Sequence, residues 1–133
     1  MWLEFAPDLV IRRHRDSDIP ALVEHADNPK VAAQMRDRFP HPYTAEAGRA
    51  WLAKVRESQP ERAFAIARRD PPGGEGELMG GIGLMPQVDV HRIDAELGYW
   101  LGEAFWGQGI ITQAVRSFVG WAFVEYPELE RIH

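Results

Sequence analysis

Hydrophobic residues recur along this chain with two different periods, which separate predicted helices from predicted strands. Apolar residues three and four positions apart predict helices, which begin at capping or proline positions. Short aliphatic runs bounded by Gly, Pro or Asp predict strands. We expect Asp16 or Ser17 to cap the first helix. The predicted strands are 9–13, 63–67, 78–84, 93–101 and 130–133, and the predicted helices are 19–26, 30–36, 45–57 and 109–126.

The order of these elements predicts a mixed sheet. Strands 63–67, 78–84 and 93–101 follow one another through short connections, so we expect them to form an antiparallel meander. Strand 130–133 follows a helical crossover and should run parallel to strand 93–101. The fold class expected from this order is α+β, with three α/β/α layers around a mixed, mostly antiparallel central sheet.

Composition narrows the classes of function. At 133 residues, 45% hydrophobic and 26% charged, the chain has the profile of one soluble globular domain. The net charge of −5 argues against a nucleic-acid surface, which needs clustered Lys and Arg, and is compatible with a cationic amine substrate. There is no cysteine, so disulfides, thiolate metal sites and a cysteine nucleophile are excluded, in keeping with a cytoplasmic location. No apolar run reaches the ~18 residues of a membrane helix, so no membrane contact is expected.

The segment 95–114, AELGYWLGEAFWGQGIITQA, carries the strongest chemical signal. It reads as a strand, a turn with two glycines and the start of a helix. Gly107 and Gly109 allow backbone N–H groups to approach a ligand closely. The helix behind them presents unpaired N–H groups and the positive end of its dipole. Together these features predict a phosphate or pyrophosphate site, although two helix-capping glycines would give a similar local pattern.

This segment resembles the GCN5-related N-acetyltransferase (GNAT) superfamily, and within it the RimJ/RimL-like branch of ribosomal-protein N-terminal acetyltransferases. The resemblance is carried by Gly98, Tyr99, Trp100, Trp106, Gly107, Gly109, Thr112 and Ala114. A second agreement lies in the loop 39–44 and the following helix with Trp51 and Leu52. The resemblance covers residues from about 9 to 133. It implies a single acyl-CoA acyltransferase domain over 1–133 that lacks the family's C-terminal helix and strand pair.

The resemblance also implies the activity, which is acetyl-CoA-dependent transfer of an acetyl group to a primary amine of a protein N-terminus or a small molecule. The pantetheine would lie along Gly98–Leu101 and the pyrophosphate on Trp106–Thr112. Ile111 departs from the family, which usually has Gly or Ala there, and it could crowd the phosphate or point into the core. The implied cofactor-binding residues are Gly98, Tyr99, Trp100, Leu101, Trp106, Gly107, Gln108, Gly109, Ile110, Ile111 and Thr112.

Acetyl transfer needs a neutral amine, so a base is expected near the thioester. Asp94, Glu96 and Glu103 are the candidates. Glu96 occupies the family's carboxylate position and is predicted to be catalytic, with a solvated strand carboxylate as the alternative. Asp94 is expected at the surface, and the alternative role of Glu103 is to cap or solvate its turn. The five histidines show no metal-ligand spacing, so no metal is expected.

Four aromatic or histidine residues have two possible roles each. Tyr99 and Trp100 could line the acetyl pocket or belong to the core. His41 and Tyr43 could face the acceptor or serve only the proline-rich loop.

Three readings of function therefore stay open at this point. The first is the N-acetyltransferase. The second is a non-catalytic acyl-CoA-binding module or an inactive fragment of a longer acetyltransferase. The third is a general nucleotide-phosphate binder or interaction domain, which the absence of a P-loop motif disfavours. Because the family fold continues past strand 130–133, we expect another copy to cover this edge and helix 109–126, giving a homodimer or a higher assembly. The alternative is that the native protein is longer and that this sequence is a fragment of it.

Overall fold

The computed structural model describes residues 1–35, 40, 42–58, 61–86, 94–127, 129 and 131–133, with the backbone alone at positions 34, 86 and 94. Within this part of the chain a six-stranded sheet carries helices on both faces. None of the described helices is long and apolar enough to cross a membrane. The strands are β1 (Trp2–Ala6), β2 (Leu9–Arg12), β3 (Ala63–Arg68), β4 (Leu78–Pro86), β5 (Asp94–Leu101) and β6 (Arg131–Ile132), and the helices are α1 (Ile19–Ala26), α2 (Pro29–Gln34), α3 (Ala45–Glu57) and α4 (Ile110–Glu125).

The strands lie in the order β1-β2-β3-β4-β5-β6, each beside its neighbour in the chain. Every neighbouring pair is antiparallel except β5 and β6, which are parallel. The predicted meander of β3, β4 and β5 and the parallel crossover to β6 are therefore confirmed, and so is the mixed, mostly antiparallel fold class.

Strand β1 was not predicted, because the first strand was expected to begin at residue 9. The structure pairs Trp2 with Arg12 and Leu3 with Ile11, so β1 and β2 form a hairpin at one edge of the sheet. Its turn includes Asp8, whose φ of 64° lies in the left-handed region that favours glycine. A five-residue edge strand that pairs on one side alternates over too few positions to give a clear pattern.

The core lies on both faces of the sheet. On one face α4 buries Ala114, Phe118 and Ala122 completely. The opposite face carries α1, α2 and α3, whose cluster contains Leu22 and the strand residue Trp100. Strand alternation explains how β5 serves both clusters, since successive side chains point to opposite faces. The three-layer arrangement follows from this division.

The start of α1 corrects one prediction, because neither Asp16 nor Ser17 caps this helix. Residues Asp16–Asp18 form a 3₁₀ turn that precedes it. The carboxylate of Asp18 accepts the Arg15 backbone N–H at 2.8 Å and two guanidinium hydrogen bonds from Arg12 at 2.9 and 2.7 Å. Asp18 pairs with both terminal nitrogens of the buried Arg12, so the start of α1 is anchored by an ion pair to β2. At α3, Thr44 accepts the backbone N–H of Ala47 at 3.1 Å in an N-cap hydrogen bond.

Candidate active site

A cavity of about 370 Å³ lies between the carboxyl end of β5 and the N-terminus of α4. It is lined by Tyr99, Trp100, Leu101, Phe105, Trp106, Gly107, Gly109, Ile110, Ile111 and Thr112. All of these except Phe105 belong to the set expected from the sequence to hold acetyl-CoA. Gly98 and Gln108, which belong to that set, are outside the lining: Gly98 pairs with Gly83 of β4, and Gln108 is exposed. The structure thus brings the expected residues together around one space.

The loop at the N-terminus of α4 has the geometry of an anion site. Gly107 and Gly109 have φ values of 78° and 75°, a left-handed conformation that residues with a Cβ rarely adopt. Gly109 is the N-cap, and among the described residues no side chain caps the helix. The first turn of α4, which the structure describes in full, contains no acidic residue. Its unpaired N–H groups and dipole therefore face the cavity without a negative partner.

The second wall of the cavity is an edge of strand β5. The ladder described between β5 and β6 pairs Ala95 with Ile132, and the Leu97 N–H donates to the carbonyl of His133 at 2.7 Å. Alternate residues of a strand direct their backbone groups to opposite edges, so Tyr99 and Leu101 face the same edge as Leu97. No described strand pairs with that stretch. The cavity therefore offers backbone hydrogen-bonding groups beside the anion site.

A short 3₁₀ turn, Glu103–Phe105, joins these two walls. The indole Nε1 of Trp106 donates to the carbonyl oxygen of Leu101 at 2.8 Å and ties the turn to the end of β5. Trp106 is half-buried and packs against the hydrophobic clusters on both faces of the sheet. Phe105 is buried, with the Arg68 guanidinium 5.7 Å from its ring centroid. Phe105 was not among the residues expected from the sequence to hold acetyl-CoA, although it directly precedes Trp106 and Gly107 of that set.

The three candidate bases have different surroundings. Glu103 accepts hydrogen bonds from Asn28 at 3.0 Å and from Lys30 at 2.9 Å, and these bonds lower the pKa of its carboxyl group. A carboxylate with a lowered pKa is a weaker base, so Glu103 acts as a link between α2 and the turn. Glu96 lies half-buried on β5 opposite Met85 and is not among the described residues that line the cavity. The side chain of Asp94 is outside the described residues.

Four other sequence expectations concern side chains around this region. Tyr43 is buried in the cluster that contains Trp100, and its burial raises the pKa of the phenol to about 12. This placement favours the loop role of Tyr43, whereas His41 lies outside the described residues. Trp100 belongs to the core and also lines the cavity, and Tyr99 lines it while 47% exposed. Ile111 packs against the α4 core cluster at the cavity wall.

The comparisons with known proteins agree with this geometry. The Bacillus subtilis protein YdaF, named as a ribosomal N-acetyltransferase, is 45% identical over 58 residues, which cover 44% of this chain and 31% of YdaF. A GNAT-family acetyltransferase structure from Bacillus anthracis superposes with a TM-score of 0.74 at 20% identity, covering 99% of this chain and 71% of that one. RimL, a ribosomal L7/L12 α-N-protein acetyltransferase solved with coenzyme A, gives a TM-score of 0.71 at 18% identity and covers 99% and 72%.

These likenesses confirm the fold over nearly the whole chain and support the predicted similarity to the ribosomal-protein branch. The family model described as an acetyltransferase (GNAT) domain matches residues 8–133. That range includes both walls of the cavity, the glycine loop and the turn that joins them. The chain therefore belongs to the GNAT acetyltransferase family.

Proposed function

We propose that this protein is an acetyl-CoA-dependent N-acetyltransferase that moves an acetyl group to the primary amine of a protein N-terminus or a small molecule. The observation that carries the proposal is the cavity itself, where an unpaired strand edge and an uncapped helix N-terminus meet. Coenzyme A has both a pyrophosphate and an amide-containing pantetheine arm. The two walls offer complementary groups for these two parts of one molecule.

Two parts of the chain, the glycine loop and strand β5, would bind different parts of acetyl-CoA. The backbone N–H groups from Gly107 to Thr112 would hold the pyrophosphate, because glycine at positions 107 and 109 leaves the approach open. The backbone groups of Tyr99 and Leu101 would pair with the amides of the pantetheine as a strand does. Bound in this way, acetyl-CoA supplies an activated acetyl thioester.

Catalysis also requires that the attacking amine lose its proton, since an ammonium has no lone pair. We assign this step to Glu96, acting directly or through a water molecule. It lies on β5, the strand that borders the cavity, three residues before Tyr99. At about 3.3 Å per residue this separation is about 10 Å along the strand, so the amine would approach Glu96 from beyond the lined cavity. The backbone N–H of Tyr99 or of Leu101, whichever does not pair with the pantetheine, would donate to the developing oxyanion.

The acceptor class rests on the relatives. YdaF is named as a ribosomal N-acetyltransferase, and RimL as an enzyme for the α-amino group of ribosomal L7/L12. A peptide with a free α-amino group is therefore the first acceptor to test. We further propose the cytoplasm as the compartment, because ribosomal proteins and acetyl-CoA occur together there.

The decisive experiment measures release of the coenzyme A thiol from acetyl-CoA with a panel of amines. Peptides with free N-termini, the same peptides with blocked N-termini, and small primary amines form the panel. We expect thiol release that depends on a free amine and exceeds hydrolysis without an amine. Calorimetry with acetyl-CoA, coenzyme A and ATP accompanies the assay. ATP binding as tight as that of acetyl-CoA would contradict the proposal and favour a nucleotide-phosphate binder.

A non-catalytic acyl-CoA-binding module is the second candidate, and one observation favours it. No carboxylate or imidazole is among the described residues that line the cavity. Tight acetyl-CoA binding with no thiol release for any amine in the panel would select this alternative.

The exposed surface of α4 bears on the oligomeric state of the protein. Phe123 and Val124 lie exposed near the C-terminal end of α4. Exposed apolar surface of this kind suits a symmetric contact between identical chains. We therefore propose a homodimer.

A further inference from the structure

Three side chains of types that can bind metal ions lie close together beside α1, outside the cavity. The ligand atoms of Glu24, His25 and Glu77 all lie within 4.8 Å of one another. Glu24 and His25 are neighbours in the last turn of α1, and Glu77 directly precedes β4. The sequence alone did not indicate this cluster, because His25 and Glu77 are 52 positions apart.

The imidazole of His25 is held in one orientation by its surroundings. Its ring packs edge-on against Phe105 with the centroids 5.1 Å apart. The Nδ1 side faces the backbone of Gly102, where an added Cβ would come within 2.9 Å of Nδ1. The Nε2 atom faces Glu77 and lies 3.0 Å from its Oε1. Since the His25 side chain is 10% exposed, the ring is a preorganised ligand with its Nε2 directed at the carboxylates.

The two carboxylates of this cluster carry more negative charge than the described side chains paired with them offset. Among the described residues, neither Glu24 nor Glu77 has an ion pair with Lys or Arg. Arg68, whose backbone N–H donates to the Glu77 carbonyl at 3.0 Å, places its guanidinium over the Phe105 ring instead. Two carboxylates therefore lie close together, and His25, at hydrogen-bond distance from Glu77, is the one described basic side chain that pairs with either of them. A divalent cation would supply the missing positive charge.

We propose that Glu24, His25 and Glu77 bind one divalent transition-metal ion of the Zn²⁺ class. One imidazole nitrogen and two carboxylate oxygens form a ligand set suited to Zn²⁺, with water in the remaining position. Ligand atoms on tetrahedral zinc lie about 3.3 Å apart, given bonds of about 2.0 Å. The pair of His25 and Glu77 already has that spacing, and the exposed side chain of Glu24 can rotate to complete it.

The bound ion would clip α1 to the start of β4. This link would lie beside Gly102 and Phe105, so it would stabilise the turn that supports the cavity. Because the three ligands come from two distant parts of the chain, the site exists in the folded protein and is absent from the unfolded one. Zinc should therefore stabilise the fold by mass action.

Zinc titration of chelator-treated protein tests this site, by calorimetry and by thermal unfolding. We expect one Zn²⁺ per chain and a rise in melting temperature with zinc concentration. Glu24→Gln and Glu77→Gln should each weaken zinc binding at least tenfold and remove most of that rise. Glu57→Gln, an exposed acid on α3, is the matched control and should behave as the wild type.

Two results would overturn the proposal. One is zinc affinity that is the same in the wild type and in both glutamate variants. The other is no zinc binding by the wild type at millimolar concentration. Because Glu24 is exposed and makes no other described contact, its variant should fold normally. The measurement needs neither acetyl-CoA nor an amine, so its outcome is independent of the proposed activity.

Discussion

Trp106 and Leu101 are joined by a 2.8 Å hydrogen bond from the indole N–H to the backbone carbonyl. This bond satisfies the last carbonyl oxygen at the unpaired edge of β5. Among the described residues, the groups left for a ligand on that edge are the C=O of Leu97, the N–H and C=O of Tyr99 and the N–H of Leu101. A tryptophan side chain thus sets where strand-like pairing with a ligand ends and where the glycine loop begins.

Gly109→Val should abolish acetyl-CoA binding. Gly109 has a φ of 75°, which costs a residue with a side chain about 1–2 kcal/mol, and the valine would also stand at the entrance to the anion site. The measurement is calorimetric titration with acetyl-CoA. Gly73→Val is the matched control, because Gly73 has a φ of 74° and an added Cβ there also meets no described atom within 4 Å.

The two glycine variants should lose similar stability, and only the variant at position 109 should lose affinity. Unchanged affinity in Gly109→Val would show that the loop does not hold the pyrophosphate. Equal losses of affinity in both variants would show that backbone strain, and not blockage of the site, is responsible.

Glu96→Gln should reduce the rate of acetyl transfer most near neutral pH. At high pH more of the amine is already neutral, so the loss should shrink as pH rises. The measurement is the pH profile of thiol release in the wild type and the variant. Glu103→Gln serves for comparison. Because Glu103 hydrogen-bonds with Asn28 and Lys30, this substitution should change the rate by the same factor at every pH. A loss that is uniform across pH in Glu96→Gln would indicate a positioning role.

The folded protein should lose stability as pH falls from 6.5 towards 4. Burial lowers the pKa of His14 from 6.5 to about 4, with Asp18 and Glu61 opposing this shift and Arg12 and Arg56 adding to it. In this window the unfolded chain binds a proton at His14 that the folded chain does not. Between pH 7 and pH 4.5 the free energy of unfolding should fall by about 2 kcal/mol from this group.

Urea unfolding of the wild type and His14→Gln at both pH values measures this contribution. The variant should show a smaller drop, because glutamine does not titrate. The lowered pKa values of Asp70 and Glu61, which follow from their hydrogen bonds with Arg15 and Arg13, contribute a further loss at lower pH in both proteins. An identical drop in wild type and variant would refute the assignment to His14.

Light scattering at micromolar concentration should give the mass of a dimer. Val124 is 80% exposed and Phe123 39% exposed on α4, and burying them between two chains would favour association. Val124→Asp should shift the mass towards the monomer without changing the melting temperature at low protein concentration. A stable monomer of the wild-type chain would contradict the proposal.

Segment 95–114 could be interpreted from the sequence because its signal is local. The strand, the two glycines and the helix start follow one another within twenty residues, so the cavity lining was predicted almost completely. Phe105 was missed because its role depends on packing with His25 and Arg68, which come from other elements.

Features that depend on distant pairing could not be predicted in this way. The placement of Glu96 outside the cavity lining depends on how far the cavity extends along β5, which residue alternation does not specify. The cap expected at Asp16 or Ser17 did not form, because Asp18 instead binds the buried Arg12 at the start of the helix. For α1, the ion pair with a residue of β2 decided where the helix begins, and the local sequence does not reveal that contact.

Neighbouring residues of β5 should differ in the rate at which their backbone amide protons exchange with solvent, because only alternate residues pair with β4. Gly98 and Trp100 pair with Gly83 and Gly81 of β4, so their amide protons should be protected whether or not a ligand is present. Tyr99 faces the other edge, and its amide should exchange rapidly until something pairs with it. Exchange at Tyr99 would therefore report how much of the protein has a ligand bound along β5.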